Sequence, residues 1–184
     1  MGWTKEADSE AVRSVLGRVR ETNPGTTALW QALATDPAAL EGIPALGAFL
    51  MREPAPLTRA QAEMIGLVVS ATNGCGYAVS HHGTELAAVT GNEGLARTIA
   101  LDYRTADLAA RDRVLLDYAV ALTCEPSERK LEDVERVREY GFDDASIVRA
   151  TVIVAWVNLI NRVASGLGVE LETGRSPWEF GSQK

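Results

Sequence analysis

Residues 57–90 read LTRAQAEMIGLVVSATNGCGYAVSHHGTELAAVT, and this stretch decides the fold. Thr58 and Gln61 have the spacing of a capping box, in which each side chain accepts a hydrogen bond from the other residue's backbone N–H. A helix is therefore predicted to begin directly after Thr58. The residues that follow are apolar on nearly every face of that helix, which is typical of an interior helix. Its one acidic residue is Glu63.

Further helices are predicted on both sides of this one. Asn73-Gly74 interrupts the apolar run and is predicted to supply the N-cap of a helix from about Cys75 to Thr90. Asp36-Pro37 is interpreted as the end of a helix that begins at Thr27. No run of six or more residues alternates apolar with polar side chains, so no strand is predicted. The fold class is therefore expected to be all-α, with other helices near Glu10–Arg20, Ala106–Leu122, Leu131–Tyr140 and Ala145–Ser165.

The composition is that of one globular domain. The chain has 184 residues, and its 46% hydrophobic and 23% charged residues exclude an intrinsically disordered protein. We expect a single domain over residues 1–184, with a core at about 25–172 and a peripheral N-terminal arm. The tail from Thr173 to Lys184 is expected on the surface or on a partner subunit. The net charge of -7 argues against nucleic acid or an anionic membrane surface as a partner.

The chain carries no predicted export or membrane signal. The apolar run Val152–Val157 is shorter than the roughly 20 residues that cross a bilayer. The N-terminus lacks the layout of a secretory signal, and two cysteines are too few for a disulfide framework. A cytoplasmic location is therefore expected. The last helix is apolar on most faces, which favours a homo-oligomer in which it packs against another subunit.

Cys75, Ala78 and His82 are separated by three, four and seven positions, so they share one face of a helix. Cys75 is predicted in the first turn, where unpaired N–H groups and the helix dipole stabilise a thiolate. His82 is suited to give and take protons at neutral pH. Glu63 is costly as a buried, unpaired anion, so a nearby imidazole or thiol is expected as its partner.

Each of these residues also has a purely structural interpretation. A single buried cysteine is usually a small hydrophobic residue, and a helix carboxylate is usually solvated. His81 and His82 differ in direction by about 100°, so at most one of them lies squarely on the Cys75 face, and His82 is preferred. Cys75 and two histidines are too few ligands for a structural zinc site, so no metal is predicted.

The segment from Glu63 to Gly83 resembles the core of the alkylhydroperoxidase AhpD-like, carboxymuconolactone decarboxylase superfamily. More narrowly, it resembles the branch of uncharacterised peroxidase-related proteins. That branch reads Glu, eleven residues, Cys-x-Tyr-Cys, three residues and His. The resemblance covers roughly residues 25–172 and includes Leu122-Thr123 and the stretch 158–170. The positions that match the motif here are Glu63, Cys75, Tyr77 and His82, and Ala78 departs from it.

The resemblance implies an acidic proton-relay residue at Glu63, the first motif cysteine at Cys75 and the family histidine at His82. Tyr77 lies where related enzymes carry a histidine, and it is expected to line the pocket together with His81. In AhpD-like enzymes the second cysteine attacks the peroxide, and the first then closes a disulfide with it. Ala78 stands at the position of that second cysteine, so the activity of this chain is expected to be impaired.

Three functional hypotheses follow. The first is a thiol peroxidase, an oxidoreductase without a cofactor, in which Cys75 attacks a small hydroperoxide and an external thiol reduces the resulting sulfenic acid. The second is a lyase similar to γ-carboxymuconolactone decarboxylase, in which His82 and Glu63 transfer protons. The third is a non-catalytic helical oligomer that binds a small apolar ligand or a partner protein. The resemblance also implies trimers or higher assemblies.

Overall fold

The computed structural model describes residues 3–4, 9–22 and 25–183. Over these ranges the chain forms nine α-helices and two short 3₁₀ turns and contains no strand, which confirms the all-α fold class. The helices are α1 Glu10–Thr22, α2 Thr27–Ala32, α3 Pro37–Arg52, α4 Arg59–Thr72, α5 Gly76–Thr90, α6 Glu93–Asp102, α7 Ala110–Cys124, α8 Leu131–Glu139 and α9 Asp144–Gly166.

Helix α4 lies at the centre of the fold and packs against α5, α7 and α9. The predicted capping box is confirmed: Thr58 Oγ1 accepts from the Gln61 N–H at 3.1 Å, and Gln61 Oε1 accepts from the Thr58 N–H at 3.0 Å. Every residue from Gln61 to Thr72 is buried, as the apolar composition predicts. The Gln61 amide also donates to Asp112 at 2.7 Å, which ties α4 to α7.

Helix α9 is the other long element of the interior, and it packs against α4 and α7. Asp143 caps its N-terminus by accepting from the Ser146 N–H at 2.8 Å. Helix α9 is long and apolar enough to cross a membrane, but the buried core helices of other proteins meet the same criterion. Ile153 and Val157 are fully buried within the protein, so we interpret α9 as a core helix.

Two helices form where none was predicted. The helix that begins at Thr27 ends before Asp36-Pro37, as predicted, but a new helix also begins there: Asp36 is the N-cap of α3 and accepts from the Ala39 N–H at 3.1 Å. Proline is favoured at the first helical position, where its missing N–H has no partner to lose. Asn92 caps α6 in the same way and accepts from the Leu95 N–H at 2.9 Å.

The C-terminal tail, residues 173–183, packs on α5 and α6 of its own chain. The backbone N–H of Trp178 donates to Ser80 Oγ at 3.0 Å. Gln183 is completely buried, and its side-chain amide donates to the Ala100 carbonyl at 3.0 Å. Most residues of the tail are exposed or half-buried on the surface of their own chain, and its last described residue, Gln183, reaches the interior.

Candidate active site

Glu63 is 2% exposed, so its charge has to be met by hydrogen-bond donors within the protein. Its Oε1 accepts from Arg59 Nε at 2.8 Å, and its Oε2 lies 2.8 Å from Nδ1 of His82 on α5. The predicted imidazole partner is therefore confirmed. Arg59 also donates to Glu85 at 3.1 Å, so one guanidinium bridges carboxylates on α4 and α5.

Gly66 makes room for the imidazole of His82. A Cβ atom at Gly66 would lie 2.5 Å from His82 Nδ1, which is closer than atoms of this kind approach one another. Gly66 lies three positions after Glu63, on the same face of α4. The ring of His82 therefore packs on bare helix backbone next to the carboxylate that it contacts.

The Glu63–His82 pair opens into a cavity of about 360 Å³, a volume suited to a small molecule. Its walls come from α3, α4, α5 and α9 and from residues in and before α2. Within the described ranges, no three His, Cys, Asp or Glu side chains are placed to hold a metal ion. The cavity is lined by Thr26, Trp30, Gly47, Ala48, Met51, Arg52, Arg59, Glu63, His81, His82, Glu85 and Trp156.

His81 also lines this cavity, and it has a carboxylate partner of its own. Its Nε2 lies 2.9 Å from Oε2 of Glu172, which follows α9 in the chain. The other oxygen of Glu172 accepts from the Tyr77 hydroxyl at 2.9 Å and from the Ala28 N–H at 3.1 Å. The two histidines point in different directions from α5 and contact carboxylates on different elements. Both nevertheless line the same cavity.

The surroundings of Glu172 and Tyr77 determine the charge states of both side chains. Burial of Glu172 opposes its ionisation, but the hydrogen bond and charge of His81 and the N–H of Ala28 outweigh burial and lower the pKa of Glu172 to about 2. Burial, followed by the charge and hydrogen bond of Glu172, raises the pKa of Tyr77 above its usual value. Around neutral pH, Glu172 is therefore an anion and Tyr77 a neutral donor.

Cys75 lies at the N-terminus of α5, as predicted. It is the N-cap residue of α5 and not a member of its first turn. Asn73, predicted as part of that cap, is instead the C-cap of α4. Gly74 connects the two helices with φ +69°, a conformation that glycine adopts without steric cost.

The side chain of Cys75 is 3% exposed and lies in an apolar cluster that also contains Tyr77 and Ala78. Cys75 is not among the residues that line the 360 Å³ cavity. The sequence predicts a pocket shared by Cys75, Glu63, Tyr77 and His82, whereas the structure brings Glu63 together with His82 in a cavity that Cys75 does not line. Tyr77, which was expected to line the pocket, is not among the lining residues either, and it is connected to the cavity through its contacts with Glu172 and His81.

Sequence reasoning missed Arg59, Arg52 and Glu172. Arg59 stands four positions before Glu63, a spacing that predicts an ion pair on a helix. This contact was therefore predictable from the sequence. Arg52 is the last residue of α3, a helix that was not predicted. Glu172 is 91 positions from His81, and no local pattern links the two.

Comparison with known proteins gives a consistent family assignment. Residues 37–92, which include α3, α4 and α5, match the model of the carboxymuconolactone decarboxylase family. The chain is similar to the crystal structure of an uncharacterised peroxidase-related protein from Silicibacter sp. TM1040, with 27% identity, 95% of this chain and 93% of that chain covered, and a TM-score of 0.85. No curated protein matches the chain.

Two further structures have a similar fold. An uncharacterised peroxidase-related protein with an alkylhydroperoxidase AhpD core, from Ralstonia eutropha JMP134, is 27% identical over 96% of this chain and 97% of that chain, with a TM-score of 0.84. The debrominase Bmp8, in complex with 2,3,4-tribromopyrrole, is 14% identical over 94% of this chain and 95% of that chain, with a TM-score of 0.76. The family match and the two 27% identical structures together support assignment of the chain to the AhpD-like, carboxymuconolactone decarboxylase superfamily.

Proposed function

We propose that this protein is a small-molecule enzyme of the lyase type, in which His82 and Glu63 carry out proton transfer. The supporting observation is the 2.8 Å contact between Glu63 Oε2 and His82 Nδ1 at the wall of a 360 Å³ cavity. A carboxylate that is hydrogen-bonded to one ring nitrogen orients the imidazole and stabilises its protonated form. The other nitrogen, Nε2, is left to exchange a proton with a substrate.

The cavity favours an anionic substrate. Arg52 lines it and has no ion-pair partner among the residues that the structure describes. A guanidinium binds a carboxylate through two parallel hydrogen bonds. We therefore propose a small substrate whose carboxylate stands on a carbon next to a carbonyl group, or next to a double bond that is conjugated with a carbonyl group.

The proposed reaction is a decarboxylation. The bond between the carboxylate carbon and the substrate breaks, CO₂ leaves, and the electron pair of that bond delocalises onto the carbonyl oxygen. Protonated His82 then adds a proton to the carbon that carried the carboxylate, and the imidazole recovers a proton from water. No oxidant or reductant takes part, which is consistent with a cavity wall that contains no cysteine.

A thiol peroxidase is the second candidate, because the chain resembles peroxidase-related proteins at 27% identity and keeps one motif cysteine. Two observations count against it. Cys75 is buried and does not line the cavity, and Ala78 has no sulfur to form the disulfide. The debrominase shares the fold at 14% identity, so the fold by itself does not select a reaction.

Two assays with purified protein decide between the candidates. One follows decarboxylation of γ-carboxymuconolactone, and the other follows consumption of cumene hydroperoxide with dithiothreitol as reductant. We expect the wild-type protein to decarboxylate the lactone and to leave the peroxide at the rate of the protein-free blank. Peroxide consumption that depends on Cys75, without lactone turnover, would contradict the proposal.

The variant Ala78→Cys is the positive control for the peroxide assay. Alanine and cysteine are both small, so the change should cost little packing energy. Two thiols three positions apart at a helix N-terminus form a disulfide readily. We expect peroxide turnover to appear in this variant, together with the loss of two titratable thiols after oxidation.

A further inference from the structure

Glu172 has more hydrogen-bond partners than a structural role in a surface segment requires. Its side chain is 16% exposed and accepts hydrogen bonds from a phenol, a backbone N–H and an imidazole. The phenol of Tyr77 and the N–H of Ala28 donate to Oε1, while Oε2 contacts His81 and lies 3.9 Å from Nε of Arg175. Glu172 is therefore held in one orientation, with one oxygen directed at an imidazole of the cavity.

The two imidazoles use different ring nitrogens to contact their carboxylates, so a different nitrogen is left free in each. When His81 is neutral, its Nε2 carries the proton that it donates to Glu172, and Nδ1 keeps the free lone pair. When His82 is neutral, Nδ1 donates to Glu63 and Nε2 is free. Neither free nitrogen has a hydrogen-bond partner among the described residues, and both histidines line the same cavity.

We propose that His81 is a second proton-transfer group of this cavity and that Glu172 is its positioning residue. The inference rests on the proposed lyase function and extends it, because a bound substrate meets two imidazoles, each backed by a carboxylate. Both carboxylates also have an arginine nearby. Arg59 donates to Glu63 at 2.8 Å, whereas Arg175 lies 3.9 Å from Glu172, which Tyr77 and Ala28 hold as well.

A second imidazole assists decarboxylation at the carbonyl group. As CO₂ leaves, protonated His81 donates a proton from Nδ1 to the carbonyl oxygen, and the substrate becomes an enol instead of a free enolate. The enol then returns this proton to His81, while protonated His82 supplies a proton to carbon. One proton is consumed for each CO₂ released, and it comes from water through His82.

Nitrogen-15 NMR of the full chain tests the two tautomers directly. The sequence contains two histidines, so the spectrum of protein labelled at the histidine ring nitrogens has two sets of signals, which His81→Asn assigns. At a pH where both rings are neutral, we expect the proton on Nε2 in His81 and on Nδ1 in His82. Tyr77→Phe leaves Oε2 of Glu172 in place, so it should not change the tautomer of His81. A proton on Nδ1 of His81 in the wild type would overturn the inference.

Kinetics on γ-carboxymuconolactone test the role in proton transfer. We expect His81→Asn to lower kcat by roughly 10- to 100-fold, with KM changed by less than about 3-fold. Glu172→Gln should lower kcat and also move the pH optimum, which a merely structural role would not do. Unchanged kcat in His81→Asn would overturn the inference, and so would a higher KM at constant kcat.

A readout without turnover separates the inference from the proposed function. If the wild type does not decarboxylate the lactone, the proposed function fails on this substrate, and diethyl pyrocarbonate then tests His81. This reagent acylates accessible, unprotonated imidazole nitrogens. Two modified histidines in the wild type and one in His81→Asn support the inference, whereas one modified histidine in the wild type overturns it.

Discussion

Arg52 is the cation of the cavity without an ion-pair partner among the described residues, while Arg59 is shared between Glu63 and Glu85. The two arginines therefore have different roles. Arg59 neutralises the buried acid that supports His82, and Arg52 is available to a substrate carboxylate. An unpaired arginine at the end of a helix next to the reacting group is a means of orienting the substrate.

We expect Arg52→Gln to raise KM for γ-carboxymuconolactone by roughly 10-fold and to leave kcat nearly unchanged, because the ion pair stabilises ground state and transition state alike. Steady-state kinetics measure both constants. Arg20→Gln, at an exposed position of α1, is the matched control and should change neither of them. A fall in kcat with constant KM would mean that Arg52 acts in the chemical step.

Ionisation of Glu172 makes the stability of the folded protein depend on pH in the acid range. Its pKa falls from 4.5 to about 2 on folding, so the native state favours the ionised carboxylate. The resulting stabilisation is fully present above about pH 4.5 and is lost as the pH falls towards 2. We expect this contribution to be roughly 1–3 kcal/mol. Urea unfolding at several pH values should therefore show a smaller loss of stability between pH 5 and pH 3 in Glu172→Gln than in the wild type. An identical loss in both proteins would contradict this account.

The packing of α4 against α5 depends on Gly66, where the ring of His82 occupies the space of a side chain. Gly66→Ala should displace the imidazole from Glu63 and reduce lactone turnover by roughly 100-fold. Gly42→Ala is the matched control, because Gly42 lies in α3 with no atom near its added Cβ. This control should gain up to about 1 kcal/mol of stability from better helix propensity and keep its activity. Full activity of Gly66→Ala would show that the Glu63–His82 contact is dispensable.

Sequence signals predicted the elements to different extents, for physical reasons. The capping box at Thr58 and the apolar run behind it determine α4 locally, so its start was predictable to the residue. Asp36-Pro37 and Gly91-Asn92 are ambiguous, because the residues that end one helix also begin the next. Helices α3 and α6 were missed for that reason.

The site was predictable where its contacts are local or follow helix periodicity. Glu63 needed a donor because it lies in an apolar helix, and His82 supplies it. The contact between His81 and Glu172 depends on how the chain turns after α9, which no local pattern encodes. Burial of the Cys75 side chain likewise depends on packing with distant residues such as Leu29 and Ile160.

The folded chain has an exposed stripe of apolar side chains on the outer face of α9. Val148, Val152 and Leu159 are 62%, 38% and 43% exposed and lie four and seven positions apart, on one face of the helix. A stripe of this kind on a core helix is typical of a subunit interface. The expectation of a homo-oligomer from the sequence therefore has a definite surface to which it applies.

We expect sedimentation velocity to show a trimer or a larger assembly at micromolar concentration. The double variant Val148→Glu, Leu159→Glu should sediment as a 19.7 kDa species, because it places charges in the contact. Val89→Glu adds a charge at a 43% exposed valine on α5 and serves as the control. A wild-type protein that sediments at 19.7 kDa would contradict the expected assembly.

The most direct test of proton transfer against thiol chemistry is the kcat/KM of two variants, His82→Asn and Cys75→Ser, on γ-carboxymuconolactone. Serine is a favourable N-cap residue, so Cys75→Ser should preserve α5. We predict that His82→Asn loses roughly 100-fold or more and that Cys75→Ser stays within about 2-fold of the wild type. A loss in Cys75→Ser as large as that in His82→Asn would contradict the account and make the sulfur part of the reaction.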